Sequence, residues 1–469
     1  MRMEEKNAVN TLSLTLVPRW GDGTVADMTI CGSFPASGIP ENLGKPALDY
    51  PDQAFGGLCP FPDYQELRIT DDLGEIPYRL DSAPSCYGAA TFKGFYFQRP
   101  VKGTLRWTYR ILPRILPEGY RSSPYYDFRA EPYGLNGSGM FAFILPNTGS
   151  APLSVRLEWD LSQMPENARG IWSYGEGTVE RMLTSWQVRL SLFNTGVMHS
   201  VEHGSFGVYW FEQPYFDVES VAEKLYPIYQ YMADYFHDTK SSFRVFLRRD
   251  PFEKSGGGSA CPYAFISGYS AMGGMDADHW FNVLIHEMTH TWPSMEDFNV
   301  GEGTWFSEGC TEYYCTMLPY RGGFLDAAFT VDRINEKIKG RYYDNPYRAM
   351  PNMEIPSIQW KDRRAQTVPY GRGFLYLANV DAQLRRAGKG SIDDIVLKHN
   401  IMSPMTAQDW KEFIAERLGE NGIQEYEDMV SGKLLRPEPD LFGPDIITVE
   451  DEIELNGQKA VSYHWEVKK

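Results

Sequence analysis

Two histidines and a distant glutamate have the spacing of a metal site in this chain. His286 and His290 begin and end the run HEMTH (286–290), and Glu308 follows eighteen positions after His290. On a helix, residues four apart project from nearly the same face, so both imidazoles can reach one ion. A carboxylate from a second helix as third ligand leaves the fourth tetrahedral position open, which is typical of a catalytic site with one zinc ion.

Two further glutamates are candidates for supporting roles. Glu287 is next to the first histidine and turns toward the open side, where a carboxylate can take a proton from a water at the metal. Glu312 stands four residues after Glu308 on the same predicted helix. There it can accept the outer N–H of a ligand imidazole and fix its orientation, although a solvated helix charge explains it equally well. The sequence therefore predicts a zinc hydrolase.

The elements around these residues fit this prediction. The apolar run 280–285 predicts a buried helix from about 278 to 292, which Pro293 would end, and the next helix reaches about 318. Before them the pattern predicts a helix over 218–236 and a strand over 243–247. Strands followed by such a helix are typical of a thermolysin-like α/β catalytic domain.

An edge strand is also expected, because a glycine-rich run leads into the alternating segment 260–266. In a thermolysin-like domain such a strand forms one wall of the cleft and pairs with extended peptide. The candidate substrate-binding residues are Gly257, Gly258, Ser259 and Ala260.

The rest of the chain suggests a multidomain α+β protein. Short alternating segments predict an antiparallel β-sandwich or saddle, among them 11–17, 105–111, 154–159 and 186–192. Helical patterns follow, including 373–386, 392–399 and 406–418, and Asn456-Gly457 predicts a closing hairpin. The predicted domains are a β-rich domain (1–215), the zinc domain (216–325), a helical domain (326–437) and a β-hairpin tail (438–469).

Composition narrows the function classes. The 469 residues carry a formal net charge of −17, which argues against nucleic-acid binding. The first residues lack an apolar run and no segment reaches transmembrane length, so we expect no membrane association. Six scattered cysteines without ligand or disulfide spacing favour the reducing cytoplasm. The oligomeric state is open.

Four segments resemble a known family. HEMTHTWP (286–293), WFSEGCTEYY (305–314), VPYGRGF (368–374) and the segment 405–433 occur in the order found in gluzincin aminopeptidases. The chain resembles the glycyl aminopeptidase family and, more distantly, the alanyl aminopeptidase and leukotriene hydrolase family. The resemblance covers about residues 205–443 and implies a zinc-dependent peptidase acting on peptides.

The resemblance also implies a role for Tyr370. In such enzymes the tyrosine of this motif donates a hydrogen bond to the tetrahedral oxyanion, for which a phenol is a neutral donor. A buried structural tyrosine is the alternative. Arg372 stands where these families often carry lysine, so the positive charge is retained.

One departure leaves the substrate class open. The glycine-rich segment lacks the acidic motif with which such aminopeptidases bind a substrate's free amine. An aminopeptidase is the leading hypothesis, and an endopeptidase or another zinc hydrolase is the alternative. A zinc-bearing but inactive binding scaffold is a third hypothesis, although a scaffold would need neither Glu287 nor Tyr370.

Overall fold

A computed structural model describes residues 10–54, 57–58, 65–84, 90–115, 126–238, 242–250, 258–270, 273–274, 276–296, 301–359 and 361–469. The chain divides into two compact units, one formed by Met1–Glu223 with Ser241–Ala277 and the other by Lys224–Lys240 with Asp278–Lys469. The first consists mainly of strands and the second mainly of helices. The predicted multidomain α+β class is confirmed, and the four-domain division stays a prediction.

The first unit is built from short and medium strands. They are β1 (Thr11–Gly21), β2 (Thr24–Pro35), β3 (Leu48–Ala54), β4 (Gly57–Leu58), β5 (Gln65–Asp71), β6 (Gly74–Glu75), β7 (Tyr78–Ala83), β8 (Ala90–Phe97), β9 (Thr104–Ile111), β10 (Arg129–Glu131), β11 (Gly134–Ser138), β12 (Leu145–Pro146), β13 (Leu153–Trp159), β14 (Arg169–Trp172), β15 (Gly175–Glu176), β16 (Val179–Leu183), β17 (Leu192–Gly196), β18 (His199–His203), β19 (Phe206–Trp210), β20 (Phe243–Asp250), β21 (Gly258–Cys261) and β22 (Ala264–Ser270).

These strands form four sheets in the described residues. Their strand orders are β16-β13-β1-β2-β9-β5-β6, β10-β11-β17-β14-β15, β12-β3-β8-β7 with β4 beside β3, and β18-β19-β20-β22-β21. Alternation explains the long strands: Leu12, Leu14 and Leu16 of β1 are fully buried, and the residues between them are partly exposed. Two short helices, α1 (Gly139–Ala142) and α2 (Ser185–Arg189), and the 3-10 turn Ala36–Gly38 complete the unit.

Helices dominate the rest of the chain. They are α3 (Val218–Tyr235), α4 (Ala277–Thr289), α5 (Thr304–Arg321), α6 (Ala327–Ile334), α7 (Arg363–Arg386), α8 (Asp393–Val396), α9 (Ala407–Leu418) and α10 (Glu420–Val430). A π-helix (Asn335–Tyr343), a 3-10 helix (Asn352–Ser357) and the hairpin β23 (Ile446–Leu455) and β24 (Gln458–Val467) accompany them. Across the described part of the chain, no helix combines the length and apolar character that a membrane crossing requires.

The segment 186–192 is not the strand that its alternation predicted. It begins inside α2, which starts at a capping box: the Gln187 N–H donates to the Thr184 hydroxyl, and the Thr184 N–H donates to the Gln187 side chain. These bonds satisfy backbone donors that a helix start otherwise leaves open. The Thr-x-x-Gln spacing therefore decides the local structure, and strand β17 begins only at Leu192.

The predicted edge strand over 260–266 is two strands. Pro262 and Tyr263 form a tight turn between β21 and β22, with Tyr263 at a φ of 61°. Proline sets the first turn position and a positive φ occupies the second, as in a type II turn. The outer strand is therefore β21, and β22 lies between β21 and β20.

Helix α7 begins ten residues before the predicted start at 373. Its first residues follow Asp362, whose carboxylate caps the Arg364 N–H. The proline and the two glycines of VPYGRGF (368–374) favour a break in the helix. In the structure the helix continues through them, and both glycines allow neighbouring backbone to approach closely. A Cβ on Gly371 would lie 2.4 Å from the Lys337 carbonyl oxygen, and one on Gly373 would lie 1.9 Å from the Trp305 carbonyl oxygen.

The C-terminal hairpin holds the π-helix. The Asn335 side chain donates to the Trp465 carbonyl at 2.9 Å and accepts from the Trp465 N–H at 2.8 Å. As predicted, Asn456 and Gly457 form the hairpin turn, with φ values of 53° and 77°. These two hydrogen bonds thus attach the first residue of the π-helix to β24, the second strand of the hairpin.

The crossing of α5 and α7 generates a stability prediction. Gly309 and Gly373 meet there, because a Cβ on Gly309 would lie 2.4 Å from the Gly373 Cα. We expect Gly373→Ala to lower the free energy of unfolding by about 1–3 kcal/mol through overpacking. Denaturant unfolding measures this.

Gly340 provides the matched control. It lies in the π-helix, and a Cβ there would meet only the Asn335 carbonyl oxygen, at 3.7 Å. Gly340→Ala should be neutral or stabilising by up to about 1 kcal/mol. Equal effects of the two substitutions would contradict the close crossing.

Candidate metal centre

Helix α4 carries His286, and the turn that follows the helix carries His290. Trp280, Leu284 and Ile285 are at most 2% exposed and fix the inner face of the helix. The helix ends at Thr289, three residues earlier than predicted, and His290 is the first residue of the following turn. His286 and His290 still lie side by side, with their ring centroids 4.8 Å apart.

Three ligand atoms converge beside this helix end. His286 Nε2 lies 3.2 Å from His290 Nε2 and 3.3 Å from Glu308 Oε2, and His290 Nε2 lies 3.5 Å from the same oxygen. Each pair of ligands in a tetrahedral zinc site, with bonds of 2.0–2.1 Å, is separated by about 3.3–3.4 Å. The three observed distances form a triangle of this size.

The surroundings of the triangle also fit a cation. Glu308 Oε2 is buried and accepts no hydrogen bond of good geometry from the described residues. Burial opposes ionisation of Glu308, but the two imidazoles outweigh it and hold the pKa of this carboxyl below its ordinary value. The side chains of His290 and Glu308 are 17% and 22% exposed, so this side of the group is open to solvent.

Glu312 lies beside the other ring nitrogen of the first histidine, which takes part in no hydrogen bond of good geometry with the described residues. Its Oε1 lies 3.3 Å from His286 Nδ1, and its side chain is fully buried. A solvated helix charge is therefore excluded. Burial opposes its ionisation, but Lys337 and His286 hold the pKa of Glu312 well below its ordinary value. Burial also lowers the pKa of His286, and the Glu312 carboxylate and neighbouring acceptors raise it above its ordinary value.

Two neighbours of the histidines were not anticipated from the sequence. The Thr311 hydroxyl lies 3.1 Å from His290 Nδ1, where it can orient the second imidazole. Cys315 lies in a second group of possible ligands with His286 and Glu312. Thr311 lies inside the motif WFSEGCTEYY, and Cys315 follows directly after it on the same helix.

Tyr370 lies against the first histidine. Its ring stacks on the His286 ring with centroids 5.7 Å apart and an interplanar angle of 18°. Burial raises the pKa of Tyr370 well above its ordinary value, and the carboxylates of Glu308 and Glu287 raise it further. The phenol is therefore neutral and able to donate a hydrogen bond at neutral pH.

Glu287 lies close to the same charges. Burial raises the pKa of its carboxyl, while His286 and His290 lower it and Glu308 raises it. The net shift is upward, and burial is its largest cause. Glu287 and Tyr370 thus share the second unit with the ligand atoms of His286, His290 and Glu308.

The candidate substrate-binding residues belong to the first unit. Gly258, Ser259 and Ala260 lie on β21, the outer strand of its sheet. Gly257 lies outside the described residues. In the described residues, β21 pairs with β22 along one of its edges.

Arg372 has a structural role that the motif did not suggest. Its guanidinium is fully buried and donates to the Asn352 side chain at 2.6 Å and to the carbonyls of Arg348 and Met350 at 2.7 and 2.8 Å. The positive charge at this motif position therefore holds the segment 348–352 against α7.

Comparison with a family model gives the class of this site. Residues 279–372 match the model of M61 glycyl aminopeptidase. The matched segment contains the triangle of ligands, Glu312 and Tyr370, and it ends at Arg372. The predicted resemblance to glycyl aminopeptidases is confirmed, the match bears out the class of peptidase, and His286, His290 and Glu308 form a group that could hold the predicted metal ion. No curated protein matches the chain.

Solved structures share the fold. An aminopeptidase N family protein from Idiomarina loihiensis is similar with a TM-score of 0.65 and 13% identity, over 94% of this chain and 79% of that chain. A mutant M1 zinc metallopeptidase from Deinococcus radiodurans, bound to a Tyr-Ser-Ala substrate, has a TM-score of 0.52 and 14% identity, over 92% and 95%. Yeast LTA4 hydrolase in complex with bestatin has a TM-score of 0.54 and 13% identity, over 92% and 69%.

The ligand triangle generates a metal-binding prediction. His290→Ala removes one of three ligands, so we expect zinc binding to weaken by more than about 100-fold. Competition with a chromophoric chelator measures the dissociation constant. His279→Ala is the control, because His279 is an exposed residue of the same helix. Unchanged affinity in His290→Ala would contradict the assignment of this ligand.

Proposed function

We propose that this chain is a zinc-dependent aminopeptidase in which His286, His290 and Glu308 hold the metal. The observation that carries the proposal is the triangle of their ligand atoms, with sides of 3.2–3.5 Å. When bound, zinc would supply a Lewis acid that polarises the scissile carbonyl and lowers the pKa of water from 15.7 toward about 7. The family match over 279–372 supports this class of enzyme.

Glu287 is the proposed general base and acid. Its carboxylate takes a proton from the attacking water as the new carbon–oxygen bond forms. It then delivers that proton to the peptide nitrogen as the carbon–nitrogen bond breaks, so the carboxylate is regenerated. Its raised pKa, caused mainly by burial, supports both steps.

Tyr370 is the proposed oxyanion donor. The carbonyl oxygen becomes negative when water adds, and a neutral phenol held in place stabilises this charge. The stacking of Tyr370 on His286 and its raised pKa support this role. Glu312 is the proposed partner that orients His286 through Nδ1.

Extended peptide is the proposed substrate, bound by strand addition. β21 is an outer strand, so its backbone groups at Gly258, Ser259 and Ala260 can pair with a peptide. Gly257, outside the described residues, is proposed as part of the same segment.

An endopeptidase is the second candidate, and one observation favours it. β21 consists of Gly258, Ser259, Ala260 and Cys261, without an acidic side chain. A substrate's ammonium group would find no carboxylate on this strand, whereas a blocked or internal peptide needs none.

The finer architecture is also a proposal. The strands β20, β21 and β22 followed by α4 support a thermolysin-like catalytic domain within 216–325, and β18 and β19 join their sheet from before residue 216. We assign 1–215 to an N-terminal β-sandwich or saddle, 326–437 to a helical domain and 438–469 to a β-hairpin tail. The cytoplasmic location stays a prediction.

Glu287→Gln tests the mechanism. We expect zinc affinity within a few-fold of wild type, because the ligands remain, and a fall in kcat of about 10²–10⁴ from loss of proton transfer. Steady-state kinetics and chelator competition measure the two effects on one preparation. Wild-type kcat in this variant would show that another group is the base.

A panel of matched peptides tests the substrate class. Each peptide is assayed with a free N-terminus and with an acetylated one. An aminopeptidase should cleave only the free set, since the amine must be bound for the peptide bond to be positioned. Cleavage of both sets would establish the endopeptidase alternative, and zinc-dependent turnover of neither would favour the inactive scaffold.

A further inference from the structure

Several groups converge on one oxygen of a buried carboxylate. Glu312 Oε1 lies 3.2 Å from Lys337 Nζ, 3.2 Å from the Arg341 guanidinium and 3.3 Å from His286 Nδ1. A fully buried carboxylate is costly unless charges and hydrogen bonds compensate it. Lys337 and Arg341 provide that compensation from outside the metal-binding motif.

Both cations come from the π-helix Asn335–Tyr343. Lys337 and Arg341 are four residues apart on it, and both reach the same oxygen of Glu312. The Glu336 carboxylate lies 3.4 Å from Lys337 Nζ and 2.9 Å from the Arg341 guanidinium, and the Glu336 side chain is 55% exposed. π-Helical turns are rare in proteins, and those that occur often lie at functional sites.

Arg341 contacts a second residue of the proposed machinery. Its guanidinium carbon lies 5.4 Å from the centroid of the Tyr370 ring, within cation–π range. The same ring stacks on His286. One arginine therefore touches both the carboxylate that contacts His286 and the phenol proposed as oxyanion donor.

We infer that Lys337 and Arg341 are positioning residues for the metal centre: they hold Glu312 against His286, and Arg341 also holds Tyr370 in place. The inference rests on the proposed zinc function. Orienting a metal-bound imidazole through its outer nitrogen contributes substantially to metal affinity. The two cations set this orientation through Glu312 without touching a ligand atom in the triangle.

The second ligand group does not compete with this role. His286, Glu312 and Cys315 could by their types hold a metal ion. Lys337 and Arg341 already supply two positive charges to Glu312, and the Arg333 guanidinium donates to Cys315 Sγ at 3.2 Å. Because like charges repel, a metal ion there would be opposed by these cations.

The test measures zinc affinity and metal geometry in the full chain. Lys337→Met and Arg341→Met remove the charges and keep much of the aliphatic volume. Lys339→Met is the matched control, because Lys339 lies on the same π-helix and pairs with Asp344 instead. Zinc dissociation constants come from chelator competition, and the visible spectrum of the cobalt-substituted protein reports ligand geometry.

We expect each of the two variants to weaken zinc binding by about 10–100-fold and to shift the cobalt spectrum. The control should stay within about threefold of wild type. Wild-type zinc affinity and cobalt spectra in both variants, even with lowered thermal stability, would overturn the inference and leave the cations a structural role. Failure of the wild-type chain itself to bind zinc would instead overturn the proposed site, and this inference with it.

A second pair of variants covers the case in which Lys337→Met does not fold. Glu312→Gln/Lys337→Met removes both buried charges and is compared with Glu312→Gln alone. Equal zinc affinities support action of Lys337 through Glu312, and a further loss of at least tenfold in the double variant contradicts it.

Arg341→Lys separates the two contacts of Arg341. A lysine keeps a cation for Glu312 but lacks the planar group over Tyr370. We expect zinc affinity within about threefold of wild type and a kcat about tenfold lower at unchanged KM, from the less well-placed oxyanion donor. An unchanged kcat would overturn the positioning of Tyr370 by Arg341.

Discussion

Two imidazole nitrogens and one carboxylate oxygen lie close together at the centre of this site, and the surrounding residues hold them there. The Nε2 atoms of His286 and His290 and the Oε2 atom of Glu308 lie within 3.5 Å of one another. Atoms with lone pairs at such distances need a shared cation or shared protons. Helices α4 and α5 must therefore keep their relative position. The close packing of Gly309 on Gly373 holds α5 against α7, the helix that carries Tyr370.

A second layer of charge supports the first. Glu312 is buried against His286, and the π-helix supplies Lys337 and Arg341 to balance it. The C-terminal hairpin in turn holds Asn335 at the start of that helix. The hydrogen bonds of Asn335, the backbone of the π-helix and the ion pairs of Glu312 thus connect the last strand of the protein to the imidazole of His286. Solved structures with 13–14% identity share the fold, so the fold tolerates wide changes in sequence.

Local patterns predicted the parts of the site that depend on neighbouring residues. The HEMTH spacing identifies the two imidazoles because four residues make about one helical turn, and Glu312 follows from Glu308 by the same periodicity. The cations at 337 and 341 could not be predicted, because they approach Glu312 through tertiary packing. Helix α7 was shortened in the prediction because glycines needed for close helix contacts resemble turn residues. Over 186–192, the capping box at the start of α2 likewise outweighed the strand-like alternation of apolar and polar residues.

X-ray absorption at the zinc edge of the purified, zinc-loaded protein tests the central claim most directly. The site His286, His290 and Glu308 predicts one zinc ion per chain with nitrogen and oxygen ligands alone, at about 2.0–2.1 Å. A sulfur ligand at about 2.3 Å would instead place the metal with Cys315 and contradict this assignment.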